Sequence, residues 1–189
     1  MPGDVSPDRL PFGAIYNSNR YTLRGLLVAC GCEVADLGIV PDKLEATIAS
    51  LREAGECNDL IVSTGGVSVG EEDHVRPALA AVGHVDLWQL AIKPGKPLAF
   101  GAVRRQAGQG EALFLGLPGN PVSSFVTFLL AVAPVLRVLQ GLPAAMPHAV
   151  KLKAGFDWPR ADKRREFLRV RQSDSGVLEL FANQSSGVL

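Results

Sequence analysis

Two lysines sit close together in Lys93-Pro94-Gly95-Lys96-Pro97. Two prolines and a glycine stiffen that turn. Closely spaced ammonium groups on a stiff turn suit a tetrahedral oxyanion such as phosphate, sulfate or molybdate. A solvated surface turn accounts for the same residues. A second stretch, Thr64-Gly65-Gly66-Val67-Ser68-Val69-Gly70-Glu71-Glu72-Asp73, has glycines that let the backbone approach a ligand and aim amides at an anion. Thr64 and Ser68 add hydroxyls, and Asp73 has the chemistry to hold a divalent cation. The plainer reading is a tight turn with Asp73 as a helix N-cap. A third stretch, Gly116-Leu117-Pro118-Gly119-Asn120-Pro121, runs into Val122-Ser123-Ser124 and places amides and hydroxyls at a helix start. Simple capping explains those residues too. Three such loops after strands of one sheet describe a pocket for a phosphorylated ligand with an acidic, metal-capable side.

Those loops need elements to hold them. Asn17 or Ser18 suits the cap of a helix running to Cys30, with Gly31 ending it. Residues 33–40 read as a strand. Asp42 and Glu45 have capping-box spacing at the start of a second helix. Residues 58–63 read as a short buried strand, and 73–82 as a third helix with Pro77 in its first turn. Residues 85–92, 98–103 and 112–115 read as strands. A long helix follows Asn120-Pro121 and ends near Gln140, with Gly141 beyond. Strands alternating with helices predict a layered α/β fold with a largely parallel sheet, whose ligands bind beyond the carboxyl ends of strands. After Pro147 the pattern changes. Residues 149–153, 164–172 and 177–182 read as strands without a helix, so residues 1–146 are expected to form an α/β domain and 147–189 part of a small β domain.

Composition narrows the classes. The chain has 189 residues, 47% of them hydrophobic, and its 19 basic and 19 acidic residues cancel. A duplex nucleic-acid binder carries a basic excess, so nucleic acid is not an expected partner. The three cysteines, Cys30, Cys32 and Cys57, are odd in number and read as buried thiols in a reducing compartment rather than a disulfide framework or a zinc site. No signal peptide is visible, and the apolar stretch 125–136 reads as a core helix too short to span a membrane. The expected location is cytoplasmic.

Four stretches resemble the molybdopterin molybdenumtransferase family, the bacterial proteins related to the E domains of gephyrin and of the plant molybdenum-insertion protein. They are Ile15-Tyr16-Asn17-Ser18-Asn19-Arg20, Gly65-Gly66-Val67-Ser68-Val69-Gly70 with Asp73, Ile92-Lys93-Pro94-Gly95-Lys96-Pro97, and Gly116-Leu117-Pro118-Gly119-Asn120-Pro121-Val122-Ser123. The resemblance implies a three-layer molybdopterin-binding α/β fold with a mostly parallel sheet, followed by part of a small β domain. It implies insertion of molybdate into adenylylated molybdopterin with release of AMP, assisted by Mg2+. Asp42 and Asp73 match acidic positions around the pyrophosphate and metal. Lys93 and Lys96 match oxyanion-binding lysines. Gly65, Gly66, Ser68 and Gly70 lie in a matching stretch and, with the Thr64 hydroxyl just before it, are expected ligand-binding positions; Ser123 and the rigid turn with Pro118, Gly119 and Asn120 match the other wall of the oxyanion site. In Arg164-Arg165-Glu166-Phe167-Leu168-Arg169 the molybdate-reaching arginine is either Arg164 or Arg169; a solvated strand face explains that run as well. A homodimer is implied, with an adenylyltransferase of the same pathway as a further partner.

The sequence also departs from the family. Its members begin this domain with a strand ending in Thr-Gly-Asp-Glu-Leu, whereas Gly3-Asp4 is followed here by Val5, and a common lysine is replaced by Gln89. The expectation is a piece of a longer protein, with an unfilled sheet position, weak pterin binding and little turnover of its own. Two other readings stand beside the transferase: a pterin-binding or scaffold module without turnover, and the sister adenylyltransferase. The paired-lysine loop and the trailing β segment disfavour the latter.

Overall fold

The computed structural model describes residues 17–67, 74–106, 108, 110–159 and 162–185. Helix α1 (Ser18–Ala29) starts where Asn17 accepts the Arg20 amide, and it ends as Gly31 takes a left-handed φ of 80°. Helix α2 (Leu44–Cys57) precedes β1 (Leu60–Thr64), and α3 (Val75–Val82) leads into β2 (Gly83–Gln89). The short β3 (Ile92–Lys93), then β4 (Pro97–Arg104) and β5 (Glu111–Leu117), complete the central part.

A continuous helix from Pro121 to Leu139 follows, made of α4 (Pro121–Thr127), a π-helical stretch (Phe128–Val132) and α5 (Ala133–Leu139). Pro134 explains the break in regular winding, because it has no N–H for the ladder and its ring crowds the preceding turn. Sequence reading placed no membrane-length apolar run here. The helix is in fact long and apolar enough, by length and composition, to cross a membrane. In the fold, Val122, Thr127, Phe128, Val132 and Leu136 bury one side of it.

The four-stranded sheet has the order β1-β5-β4-β2. β1 and β5 pair in parallel, and β4 pairs antiparallel to both β5 and β2. Three strands therefore run one way and only β4 opposes them. Side chains alternate across the sheet. Phe114, Ala99 and Val103 join Leu51 of α2 and Leu79 and Val82 of α3 on one face. Leu115, Leu117 and Leu98 meet Leu23 of α1 and Phe128, Val132 and Leu136 of the long helix on the other. Helices thus cover both faces, giving the three-layer α/β arrangement that the sequence implied.

Several local expectations are corrected. Residues 33–40 form no ladder with any described residue. They are held by side chains instead: Arg20 Nε contacts both Asp36 oxygens at 2.9 and 2.8 Å, and Asp36 Oδ1 accepts the Gly38 amide. Leu37 and Ile39 remain exposed. The capping box at Asp42 and Glu45 does not form, because the N-cap of α2 is Lys43 and carries no side-chain cap bond. The N-cap of α3 is His74. The cysteines are free, but Cys57 is exposed and Cys30 and Cys32 are only half-buried; burial raises the Cys32 thiol above its ordinary value.

Beyond the long helix, the predicted strand at 149–153 is reduced to one bridge between Ala154 and Leu178. The stretch 164–172 splits into β6 (Arg165–Glu166) and β7 (Val170–Gln172), and β8 (Leu178–Leu180) pairs with β7. β6 pairs in parallel with β3.

Candidate functional site

The sheet register collects the loops. Thr64 pairs with Leu117, so the loops after β1 and β5 leave the same end of the sheet. Gln89 pairs with Pro97, which brings the turn between β2 and β4 to that end as well. Parallel strands β1 and β5 place their carboxyl ends together, and the opposed β4 offers its start there. The lysine turn and the two glycine-rich loops therefore share one edge of the molecule.

Side chains then tie them together. Asn19, in the first turn of α1, is buried and donates from Nδ2 to Thr64 Oγ1 at 2.9 Å and to the Gly119 carbonyl at 2.7 Å. Gly65 and Gly66 adopt φ of 81° and 67°, a region that only glycine enters cheaply. The Gly65 amide donates to the Leu117 carbonyl at 3.0 Å. That amide extends the ladder, so it is not presented to a ligand. Asn120 caps the long helix by accepting the Ser123 amide at 3.2 Å, with Pro121 at the first helical position. Ser123 is buried, and its carbonyl accepts the Thr127 hydroxyl at 2.8 Å.

The lysine turn leans on the same helix. Gly95 has φ of 108°, and a Cβ there would lie 2.8 Å from Thr127 Cγ2 and 3.0 Å from Ile92 Cδ1. The Leu90 amide closes the turn on the Lys96 carbonyl at 2.8 Å. Lys93 and Lys96 are both exposed. Lys93 Nζ lies 2.7 Å from Glu166 Oε1 and 3.7 Å from Asp162 Oδ2. Asp162 receives Arg164 bidentately, at 3.0 Å from Nε and 2.7 Å from Nη2. Glu166 Oε2 also accepts the Trp158 indole N–H at 2.9 Å. Hydrogen bonding to Lys93 and then Trp158 holds Glu166 below its ordinary range, and Arg164 does the same to Asp162. Glu166 in turn holds the Lys93 ammonium above the ordinary lysine value.

The predicted site residues therefore fall into groups. Thr64, Gly65, Gly66, Pro118, Gly119, Asn120 and Ser123 come together around Asn19 and the start of the long helix. Lys93 and Arg164 share the carboxylate cluster, whereas Arg169 is drawn away, its Nη2 donating to the Ser185 carbonyl at 2.7 Å. Asp42 is exposed and stands 4.0 Å from His74 Nε2. It lines a cavity of about 1400 Å³ that also reaches Thr64, Gly65 and Gly66 and opens along β1. Ser68, Gly70 and Asp73 lie outside the described residues. Among the described residues no group of three or more His, Cys, Asp or Glu side chains could hold a metal. Asp42 stands as a single exposed carboxylate near His74, one oxygen donor that a divalent cation with a largely water-filled shell could accept. Sequence reading missed Asn19, Asp162 and Glu166 as site residues. Asn19 and Glu166 did stand inside stretches it singled out, but their partners are distant in the chain.

A family model described as "Probable molybdopterin binding domain" matches residues 5–138. The chain is 46% identical over 132 residues to a molybdopterin molybdenumtransferase of Haemophilus influenzae, covering 70% of this chain and 31% of that protein. It is 37% identical over 153 residues to gephyrin of Dictyostelium discoideum, covering 71% of this chain and 21% of that protein. The chain thus spans about a third or less of the length of these relatives. A solved molybdopterin biosynthesis MoeA protein of Pyrococcus horikoshii matches with a TM-score of 0.69 and 26% identity, covering 95% of this chain and 42% of that one. With the family model extending over most of the described three-layer core, the chain belongs to the molybdopterin-binding domain family.

Proposed function

We propose that this chain forms the pterin- and oxyanion-binding part of a transferase that inserts molybdenum into adenylylated molybdopterin and releases AMP. The observation that carries this reading is the gathering of three ligand-capable loops at one sheet end. Asn19 joins two of them, and the third lies close enough to the long helix that a Cβ at Gly95 would collide with Thr127. Relatives named molybdopterin molybdenumtransferase are 46% identical over 132 residues and 37% identical over 156 residues.

In this reading the glycine-rich loop at Thr64–Gly66 admits the phosphate end of the pterin, because residues without side chains let a ligand lie against the backbone. Lys96 supplies an exposed cation for molybdate, and Ser123 and the rigid turn from Pro118 to Pro121 shape the opposite wall. Arg164, rather than Arg169, belongs to the oxyanion side. Asp42, with Asp73, would hold magnesium, which offsets pyrophosphate charge when bound. A homodimer in solution is part of the same reading.

The test is AMP release from adenylylated molybdopterin by the purified chain, with and without molybdate. Molybdate-dependent AMP release supports the transferase. Pterin binding without AMP release at any molybdate concentration, persisting when the sequence is tested within the framework of a longer relative, replaces it with a binding module. Sedimentation of the same sample checks the dimer.

A further inference from the structure

The two lysines of the turn do not stand in equivalent surroundings. Lys93 is engaged by Glu166 at 2.7 Å and by Asp162 at 3.7 Å. Both carboxylates are themselves held. The Glu166 side chain is only 12% exposed, and its second oxygen accepts the Trp158 indole. Asp162 is gripped by both arms of Arg164 and by the Arg164 amide. The backbone adds two further ties, Arg165 N–H to the Ala91 carbonyl at 2.9 Å and Phe167 N–H to the Lys93 carbonyl at 2.8 Å. Lys93, Arg164, Asp162 and Glu166 together sum to zero charge. Two fixed carboxylates already lie within 4 Å of Lys93 Nζ, so an oxyanion brought to that ammonium would be repelled by both. Lys96 makes no ion pair with any described residue.

We propose that Glu166 is a positioning residue that sets oxyanion affinity: it neutralises Lys93 and holds it as a strut between the lysine turn and β6, leaving Lys96 as the cation that binds the anion. The proposal rests on the reading of this turn as an oxyanion site and divides the work between its lysines. An internal carboxylate occupies the place at Lys93 that a second contact to the anion would need, which weakens the site below what two free lysines would give.

The experiment is calorimetric titration of the chain with tungstate, applied to the unmodified protein and to Lys93→Ala, Lys96→Ala, Glu166→Gln, Glu166→Asp and the double variant Lys93→Ala/Glu166→Gln. Lys96→Ala is expected to weaken binding on the order of tenfold or more, the loss of one charge-assisted contact. Lys93→Ala leaves Glu166 uncompensated and is expected to weaken binding, whereas the double variant, which restores neutrality, should stay within about threefold of the unmodified protein. Glu166→Gln should tighten binding several-fold by releasing Lys93 toward the anion. Glu166→Asp should return affinity toward the unmodified value, and the double variant should lose the gain. A merely structural Glu166 would instead weaken binding when replaced.

A second measurement does not depend on the anion. The Lys93 ammonium protons should give a slowly exchanging NMR signal that disappears in Glu166→Gln. Equal losses in the double variant Lys93→Ala/Glu166→Gln and in Lys96→Ala, or weaker binding by a folded Glu166→Gln, would overturn the proposal while leaving the oxyanion site intact. Absence of tungstate binding by the unmodified chain would overturn both together.

Discussion

The side-chain amide of Asn19 donates to the Gly119 carbonyl at 2.7 Å, joining the first turn of α1 to a loop one hundred residues further along the chain. The same nitrogen reaches Thr64 Oγ1 at 2.9 Å. One buried amide thereby sets the spacing between the glycine-rich loop and the start of the long helix. Asn19→Ala leaves the Gly119 carbonyl and the Thr64 hydroxyl short of a donor. The expected loss is about 1–3 kcal/mol of stability, the desolvation cost of orphaned buried polar groups. Urea denaturation checks it, and an unchanged midpoint would show that water replaces the amide freely. Asn19→Asp should be worse than alanine at neutral pH, because a carboxylate cannot donate to Gly119.

Gly95 offers a separate test of how the lysine turn is seated. Its φ of 108° disfavours any side chain, and a Cβ would press on Thr127 Cγ2 at 2.8 Å. Gly95→Ala should cost about 1–3 kcal/mol from backbone strain and overpacking together. Adding Thr127→Ser removes that methyl while keeping the hydroxyl bond to the Ser123 carbonyl. The double variant should recover part of the loss, because only the steric share is relieved. Thermal melts of Gly95→Ala, Thr127→Ser and the double variant separate the two contributions; a double variant no more stable than Gly95→Ala would place the whole cost in the backbone.

The carboxylate clamp makes a pH prediction. Lys93, then Trp158, depress Glu166, and Arg164 depresses Asp162. Groups with depressed values stabilise the fold above their unfolded values, and that stabilisation is lost as pH falls through the folded ones. The Lys93 value is raised, so its contribution is complete below the unfolded lysine value and is lost as pH rises through the folded one. The contact between β3 and β6 should therefore be constant between about pH 4.3 and about pH 10.4, the ordinary values for glutamate and lysine. The Trp158 indole N–H resonance, which reports directly on Glu166, should hold its position across that window and shift only below it. A transition centred at the ordinary glutamate value would mean that the Lys93–Glu166 pair does not form in solution.

Asp42 separates chemistry from folding. Its side chain is 84% exposed, so Asp42→Asn should change stability by less than about 0.5 kcal/mol. As a magnesium ligand it should matter to AMP release far more than to pterin binding. Asp73→Asn should behave in the same way, because the amide keeps the size of the side chain and removes only the charge a cation needs. AMP release measured across a magnesium titration is the check, with normal magnesium dependence in both variants ruling the metal assignment out.

Local sequence determined much of what is seen. Asn17 and Gly31 bound α1, Asn120-Pro121 start the long helix, and apolar runs form β1, β4 and β5, because caps, turns and periodicity act over a few residues. The three loops and their place after strands were legible for the same reason. Pairing and partnership were decided by the tertiary structure. Residues 33–40 have strand-like composition, yet no described edge meets them, and Asp36 with Arg20 holds them instead. Arg164 and Arg169 look alike in sequence, but only Arg164 meets Asp162, which in turn stands near Lys93. Lys93 and Lys96 read as a matched pair, and β6, more than seventy residues later, makes them different by bringing Glu166 to one of them. Such contacts depend on how distant segments pack, and no spacing within a single stretch of chain encodes them.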